Sequence, residues 1–212
     1  MDTGSESMIA AAHVTPATPV RQIARFTIEQ YDRMIAAGIF ENGLQGSRCE
    51  LIHGEIRPML PIGPVHEDMV DYLTRWSTKH TDEGQVRVRI QQSIGLPGAS
   101  SAPQPDIAWV RQMSYRDSRP LSDNALLVIE VADTSIDYDT GEKADLYAAA
   151  GISDYWVVDV QNQSIEIRRD PANGRYRTLQ TFARGDVVRP LLFPDIELPV
   201  DMLFLGEGEK QG

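Results

Sequence analysis

The sequence predicts an α/β or α+β domain in which a mixed central β-sheet is flanked by helices. Two observations carry that expectation. Segments with apolar residues at helical spacing stand before, between and after short apolar runs bounded by Gly, Pro and Asn, the element order of a sheet with helices packed on it. Apolar patterning also runs from about residue 23 to 205 of the 212, with 42% hydrophobic residues overall, enough for one domain with a sizeable core.

In chain order, residues 1–22 are rich in Ala, Thr, Ser and Pro without periodicity and are expected to form a mobile leader. A single domain over 23–205 and a tail over 206–212 follow. Phe26-Thr27-Ile28-Glu29-Gln30-Tyr31 reads as a helix start: Thr27 is the N-cap, Gln30 closes a capping box, Phe26 staples against Tyr31, and Gly38 is the stop. Cys49–Ile52 and Glu55–Met59 flank His53-Gly54 as two strands joined by a tight turn. After a Pro/Gly break, His66 to Lys79 carries Met69, Val70, Leu73 and Trp76 at helical spacing, with His66 on the inner face. Val86 to Ile90, continued by Ile94 and Leu96, suggests a strand. Gln104 to Val110 and Leu126 to Val131 suggest two more. Asp139-Thr140-Gly141-Glu142 resembles an N-cap with a glutamate at N3, opening a helix that runs through Ala150 to Gly151. Tyr155–Val160, Ile165–Arg168 and Tyr176–Phe182 complete the strands, the last two joined by an Asn173-Gly174 turn.

Composition narrows the functional classes. No stretch approaches the roughly 18–20 apolar residues of a membrane span, and the N-terminus lacks the basic region of a signal peptide, so no membrane partner and a cytoplasmic protein are expected. The single cysteine, Cys49, excludes an internal disulfide and any multi-cysteine zinc site and is expected in the core. The net charge of −11 weighs against binding to phosphates, although Glu207 and Glu209 fall in the tail and a metal site needs carboxylates of its own. Nearly all basic residues are arginine, since the lysines are only Lys79, Lys143 and Lys210. A lysine in this chain hints at a position that needs an ammonium.

Glu130 is the informative residue, because it interrupts Leu126-Leu127-Val128-Ile129-Glu130-Val131-Ala132, a run that reads as a buried central strand. A buried carboxylate must change protonation state, find a cation or bind a metal; on an edge strand it would simply face water. Asp106, after Pro105, offers a second acid on a neighbouring apolar segment, though a Pro-Asp pair alone is as well explained by a turn. Two carboxylates on adjacent strands can share one magnesium ion, which prefers oxygen ligands and needs only one or two from protein when phosphate completes its shell. Lys143 falls in the first turn of the helix after the Glu130 strand. It can swing back over the carboxylates, or stay in solvent paired with Asp139 four residues earlier. Trp109 and Trp156 are expected in the core, Asp159 in a turn, and Leu191-Leu192-Phe193 with Leu203-Phe204-Leu205 at the domain edge or against a dimer partner.

Pro105-Asp106, then Glu130-Val131-Ala132, then a downstream lysine resembles the PD-(D/E)xK nuclease signature with its lysine moved from the strand to the next helix. More closely, the chain resembles the Uma-two family of restriction-endonuclease-like proteins. The matching segments are Cys49–Ile56, His66, Pro105–Ile107, Leu127–Val131, Tyr138–Lys143, Tyr147 and Ala150–Asp159. The resemblance implies a restriction-endonuclease-like core and a Mg²⁺-dependent endonuclease acting on DNA, with Mn²⁺ able to substitute. It further implies that Asp106, Glu130 and the carbonyl of Val131 hold the metal, that Lys143 is the catalytic lysine, and that Glu50 is an auxiliary acid. His66 falls where the family has a histidine, suited to bonding a site carboxylate or to a structural role. Position 132 is alanine, so activity depends on Lys143 reaching in. A homodimer would suit double-strand cleavage. A catalytically silent nuclease-like module that binds nucleic acid or protein is one competing reading, and a metal-dependent enzyme on a smaller phosphorylated substrate, which the negative charge suits better, is another.

Overall fold

The computed structural model describes residues 23–42 and 48–205. The leader expected at 1–22 and the tail at 206–212 lie outside the described residues. Helix α1 (Ile28–Ala36) starts on the expected capping box: Gln30 N donates to Thr27 Oγ1 at 3.2 Å and Thr27 N to Gln30 Oε1 at 2.9 Å. Phe26 packs with Tyr31 in one small apolar cluster. A short α2 (Ile39–Asn42) follows, and then β1 (Cys49–Ile52) pairs antiparallel with β2 (Glu55–Pro58). His53 and Gly54 join them with φ of 51° and 77°, the paired left-handed conformation of a tight hairpin.

Helix α3 (Pro64–His80) begins two residues before His66, with Pro64 in the first turn, where the missing N–H costs nothing. The main sheet comprises β3 (Val86–Ile90), β4 (Ile107–Arg111), β5 (Ala125–Ala132), β6 (Asp154–Asp159), β7 (Ser164–Ala172) and β8 (Arg175–Ala183), paired in that order. Only β5 and β6 run parallel. Ile94 and Leu96 do not extend β3: Gln91 turns the chain at φ 50°, and both residues are buried in the connection that follows. Because β5 lies between β4 and β6, Glu130 is not on an edge, and it is 3% exposed.

A parallel pair requires a crossover. Here α4 (Ile136–Thr140) and α5 (Glu142–Ala149) supply it. The sequence suggested one helix opening on Asp139, but the structure has two, broken at Gly141. Gly141 adopts φ −103° and ψ −101°, and a Cβ there would sit 2.5 Å from the Asp137 carbonyl oxygen. Asp139 is therefore inside α4 and buried rather than an exposed cap.

The two faces of the sheet follow from strand alternation. Ile107, Trp109, Leu127, Ile129, Val131, Trp156 and Val158 pack against Met69, Val70, Leu73 and Trp76 of α3. Ala108, Val110, Val128, Ala132, Tyr155 and Val157 pack against Ala144, Leu146, Tyr147 and Ala148 of α5. β9 (Val187–Val188), β10 (Leu198–Pro199) and α6 (Asp201–Phe204) close the α3 side, where Val188, Leu198 and Leu203 join the core. The tryptophans are core residues as expected. Trp76 stacks on Trp109 at 5.3 Å, and the Trp109 indole N–H donates to Ser77 Oγ at 2.8 Å. Phe193 packs edge-on to Trp109, while Leu191 and Leu192 stay exposed. Asp159 anchors a turn, accepting from Asn162 N. Among the described residues no helix is long and apolar enough to cross a membrane.

Candidate active site

Strand alternation puts Glu130 on the α5 face, between Val128 and Ala132. Lys143, in the first turn of α5, reaches it: Nζ donates to Glu130 Oε1 at 2.9 Å, with Asp139 Oδ1 at 3.8 Å and Glu50 Oε2 at 3.9 Å. Lys143 is only 5% exposed, so it is not a solvated surface lysine. Tyr147, one turn further along α5, donates its hydroxyl to the same Glu130 oxygen at 2.9 Å. Tyr138 donates to Glu50 Oε1, and its ring lies 5.6 Å from the Lys143 ammonium.

Asp106 is placed by the end of a ladder. The β4–β5 pairing stops at Ile107 opposite Ile129, and the same register two residues on would set Pro105 opposite Val131. Proline has no N–H to give. Asp106 fills the gap: its Oδ2 accepts from Val131 N at 2.9 Å, and its own N–H donates to Glu130 Oε2 at 3.3 Å. The Val131 carbonyl, on the same strand edge as its N–H, has lost its ladder donor to Pro105. His66 comes from the first turn of α3, with Nε2 at 3.1 Å from Asp106 Oδ2. Its buried Nδ1 has no hydrogen-bond partner among the described residues. Gln91 Nε2 donates to Asp106 Oδ1, and Glu50 Oε2 accepts from Gln104 N. Asp106, Glu130, Lys143, Glu50, His66 and Val131 thus all meet at one end of the sheet.

Burial and charge oppose each other here. Burial pushes the Glu130 carboxyl up to about 8 even though Lys143 pulls the other way. Asp139 is likewise raised by burial against Lys143. Burial alone would lower Lys143, but Glu130, Glu50 and Asp139 outweigh it and hold the ammonium above its ordinary value. Asp106 is buried too, yet His66 and the Val131 N–H keep it below its ordinary value. Burial disfavours a charged His66, and Asp106 more than offsets this.

Four buried carboxylates, Glu50, Asp106, Glu130 and Asp139, therefore share one lysine and one histidine. That surplus of hard oxygen donors fits a divalent cation such as Mg²⁺ or Mn²⁺. No three His, Cys, Asp or Glu side chains among the described residues form a metal cage. The fit is to a site of one or two carboxylates whose other ligands are water and phosphate.

The sequence assigns no site role to Asp139, Tyr138, Tyr147 or Gln91. The four-residue spacing of Lys143 and Tyr147 is a helical-face signal that sets Tyr147 beside the lysine, whereas Asp139 lies in the preceding helix and has no such signal. Gln91 has no such signal.

A family model described as "Uma2: Putative restriction endonuclease" matches residues 28–201. A solved structure of a "putative nuclease belonging to DUF820 from Anabaena variabilis ATCC 29413" superposes with a TM-score of 0.63 at 14% identity, over 84% of this chain and 97% of that one. At that identity the likeness concerns the fold. Among curated proteins none matches.

Proposed function

Because the chain belongs to the Uma2 family of putative restriction endonucleases, we propose that it is a metal-dependent endonuclease hydrolysing DNA phosphodiesters at the site around Asp106, Glu130 and Lys143. One observation supports this above the others. Lys143 crosses from α5 to within 2.9 Å of Glu130 Oε1, bringing to the strand the ammonium that Ala132 cannot provide.

In this reading Asp106, Glu130 and the Val131 carbonyl hold Mg²⁺, with Mn²⁺ as a substitute. When bound, the ion supplies Lewis acidity toward a phosphoryl oxygen and a water of lowered pKa. Lys143 stays protonated, so it acts as a donor and a charge, not as a base. It orients the attacking water and stabilises negative charge developing on the phosphoryl oxygens. His66 fixes the orientation of Asp106. Glu50 is an auxiliary acid that, with Tyr138, keeps the Lys143 ammonium in place. Water displaces one ester oxygen in line. We further propose that residues 23–205 act as one domain, that two copies pair to cut both strands, and that the protein works in the cytoplasm, to which a sequence with a single cysteine is suited.

The test incubates plasmid, single-stranded DNA and RNA with the protein and Mg²⁺ or Mn²⁺, beside Asp106→Ala and Lys143→Ala. Metal-dependent cleavage of DNA that both substitutions abolish is the expected result. Wild-type protein that binds nucleic acid yet cuts none of the three would replace this reading with that of a silent binding module.

A further inference from the structure

The chain carries a net charge of −11, yet one edge of its sheet is cationic. β3 is the edge strand, and its Arg87 and Arg89 stand opposite Val110 and Ala108. Those partners belong to the α5 face, so the two arginines share the face on which Glu130 meets Lys143. Tyr115 holds both: its ring centroid is 6.0 Å from the Arg87 guanidinium carbon and 5.6 Å from that of Arg89. Among the described residues neither arginine has an ion pair or hydrogen bond to a carboxylate, and the buried Arg89 Nε has no acceptor. Arg119 adds a third cation beside them. One of its Nη groups is bound by Asp32 and the other lacks an acceptor among the described residues. Burial first, and then repulsion from Arg87 and Arg119, lowers the Arg89 guanidinium from its ordinary value.

The row leads toward the site. Two positions beyond Arg89, Gln91 donates its side-chain N–H to Asp106 Oδ1 and accepts at Oε1 from Arg48 Nη1 at 2.6 Å. Arg48 also has no carboxylate partner among the described residues; its acceptors are Gln91 and Gln104. Alternate positions on an antiparallel strand are about 6.8 Å apart. Neighbouring phosphates of one duplex strand rise roughly 3.4 Å along the axis and also turn around it, so they lie about twice that rise apart and successive arginines on this face match neighbouring phosphates.

We propose that Arg87, Arg89 and Arg48 form a track for the phosphate backbone of nucleic acid, laid along β3 and ending at Asp106. The idea rests on the endonuclease reading for what happens at the end of the track. A polyanion offsets the charge of the guanidinium groups and relieves the repulsion among the arginines. It also explains how a strongly acidic protein holds a polyphosphate, since the binding charge is gathered on one edge.

The experiment measures binding of a short labelled duplex by fluorescence anisotropy across a salt series in EDTA, so that no cleavage intervenes. Arg87→Ala/Arg89→Ala is expected to weaken binding at every salt concentration and to reduce the slope of log K against log salt by about 2. Arg87→Lys/Arg89→Lys keeps the charge and is expected to keep most of the slope. Arg175→Ala, on the opposite edge strand, is expected to bind as wild type. If the double alanine variant melts below wild type, the exposed Arg87→Glu single variant carries the comparison. Unchanged affinity and slope in the arginine variants, an equal loss in Arg175→Ala, or no duplex binding by wild type would each overturn the track. Cleavage is assayed separately. A wild type that binds through these arginines but does not cut overturns the endonuclease and keeps the track, while arginine variants that bind and cut as wild type do the reverse.

Discussion

Lys143→Met removes the one ammonium that lies 2.9, 3.8 and 3.9 Å from Glu130, Asp139 and Glu50 while keeping an unbranched side chain of similar reach. Breaking a buried ion pair from one side leaves uncompensated charge and costs about 3–5 kcal/mol, which is two to three and a half orders of magnitude in the folded-to-unfolded ratio. The lower end is expected. Burial holds Glu130 near 8 even with Lys143 beside it, so that carboxyl is already largely protonated at neutral pH, stays so without the lysine, and leaves only Glu50 and Asp139 in conflict. Urea unfolding at neutral pH in EDTA measures the loss. The same titration with Mg²⁺ or Mn²⁺ then measures recovery, because a cation that binds only the folded state stabilises by about 2.7 kcal/mol at a hundredfold excess over its Kd. The variant should gain more from metal than wild type does, while losing all cleavage. Two results refute the reasoning. A variant as stable as wild type in EDTA would mean that Lys143 does not neutralise the three acids, and a variant indifferent to metal would mean that those acids form no cation site.

Three further outcomes are expected. Gly141→Ala places a Cβ 2.5 Å from the Asp137 carbonyl oxygen, so α4 and α5 must separate; a loss of about 1–3 kcal/mol in urea unfolding, with reduced cleavage as Lys143 shifts from Glu130, is the signature, and an unchanged midpoint excludes it. Asp154, fully buried, accepts from Arg169 Nε, the Trp156 indole N–H and Leu191 N, so Asp154→Ala strands these donors and should cost about 3–5 kcal/mol by denaturant melt; a loss below about 1 kcal/mol would contradict this. Arg57 donates to Glu142 at 2.7 Å and holds its carboxyl below the ordinary value of 4.5. A carboxyl lowered in the folded state adds stability above its unfolded pKa and loses it as pH falls through the folded one. Glu142→Gln should therefore cost under about 1 kcal/mol at neutral pH, and the Tm difference should vanish in acid; a difference that persists there refutes the pairing.

Much of this was legible in the sequence, for physical reasons that differ by residue. Glu130 announced itself because a carboxylate inside an apolar run has few ways to exist. His66 was placed inward by helical period, and the Thr27–Gln30 box by local chemistry that tertiary packing did not alter. Asp139 was misread because Asp-Thr-Gly-Glu has the composition of a capping box. The backbone at Gly141 breaks the helix there and turns the aspartate inward, a consequence of packing that no local pattern encodes. Tyr138 and Tyr147 reach Glu50 and Glu130 through their hydroxyls, and periodicity registers only their apolar bodies. Gln91 touches Asp106 because its left-handed φ ends β3 there, and a glutamine gives no warning of such a turn.

The parallel pairing of β5 and β6 makes the site a matter of helical phase. Lys143 follows Glu130 by only 13 positions, a stretch that takes in two helices and one glycine break. Each residue added or removed within α5 ahead of the lysine turns it by about 100° around the helix axis. Two such steps would aim it away from the sheet altogether. The lysine is free to leave its strand, but its new address is quantised: insertions in this connection can be accepted only where Gly141 absorbs them, and the length of the crossover becomes as much a part of the site as the side chains it delivers.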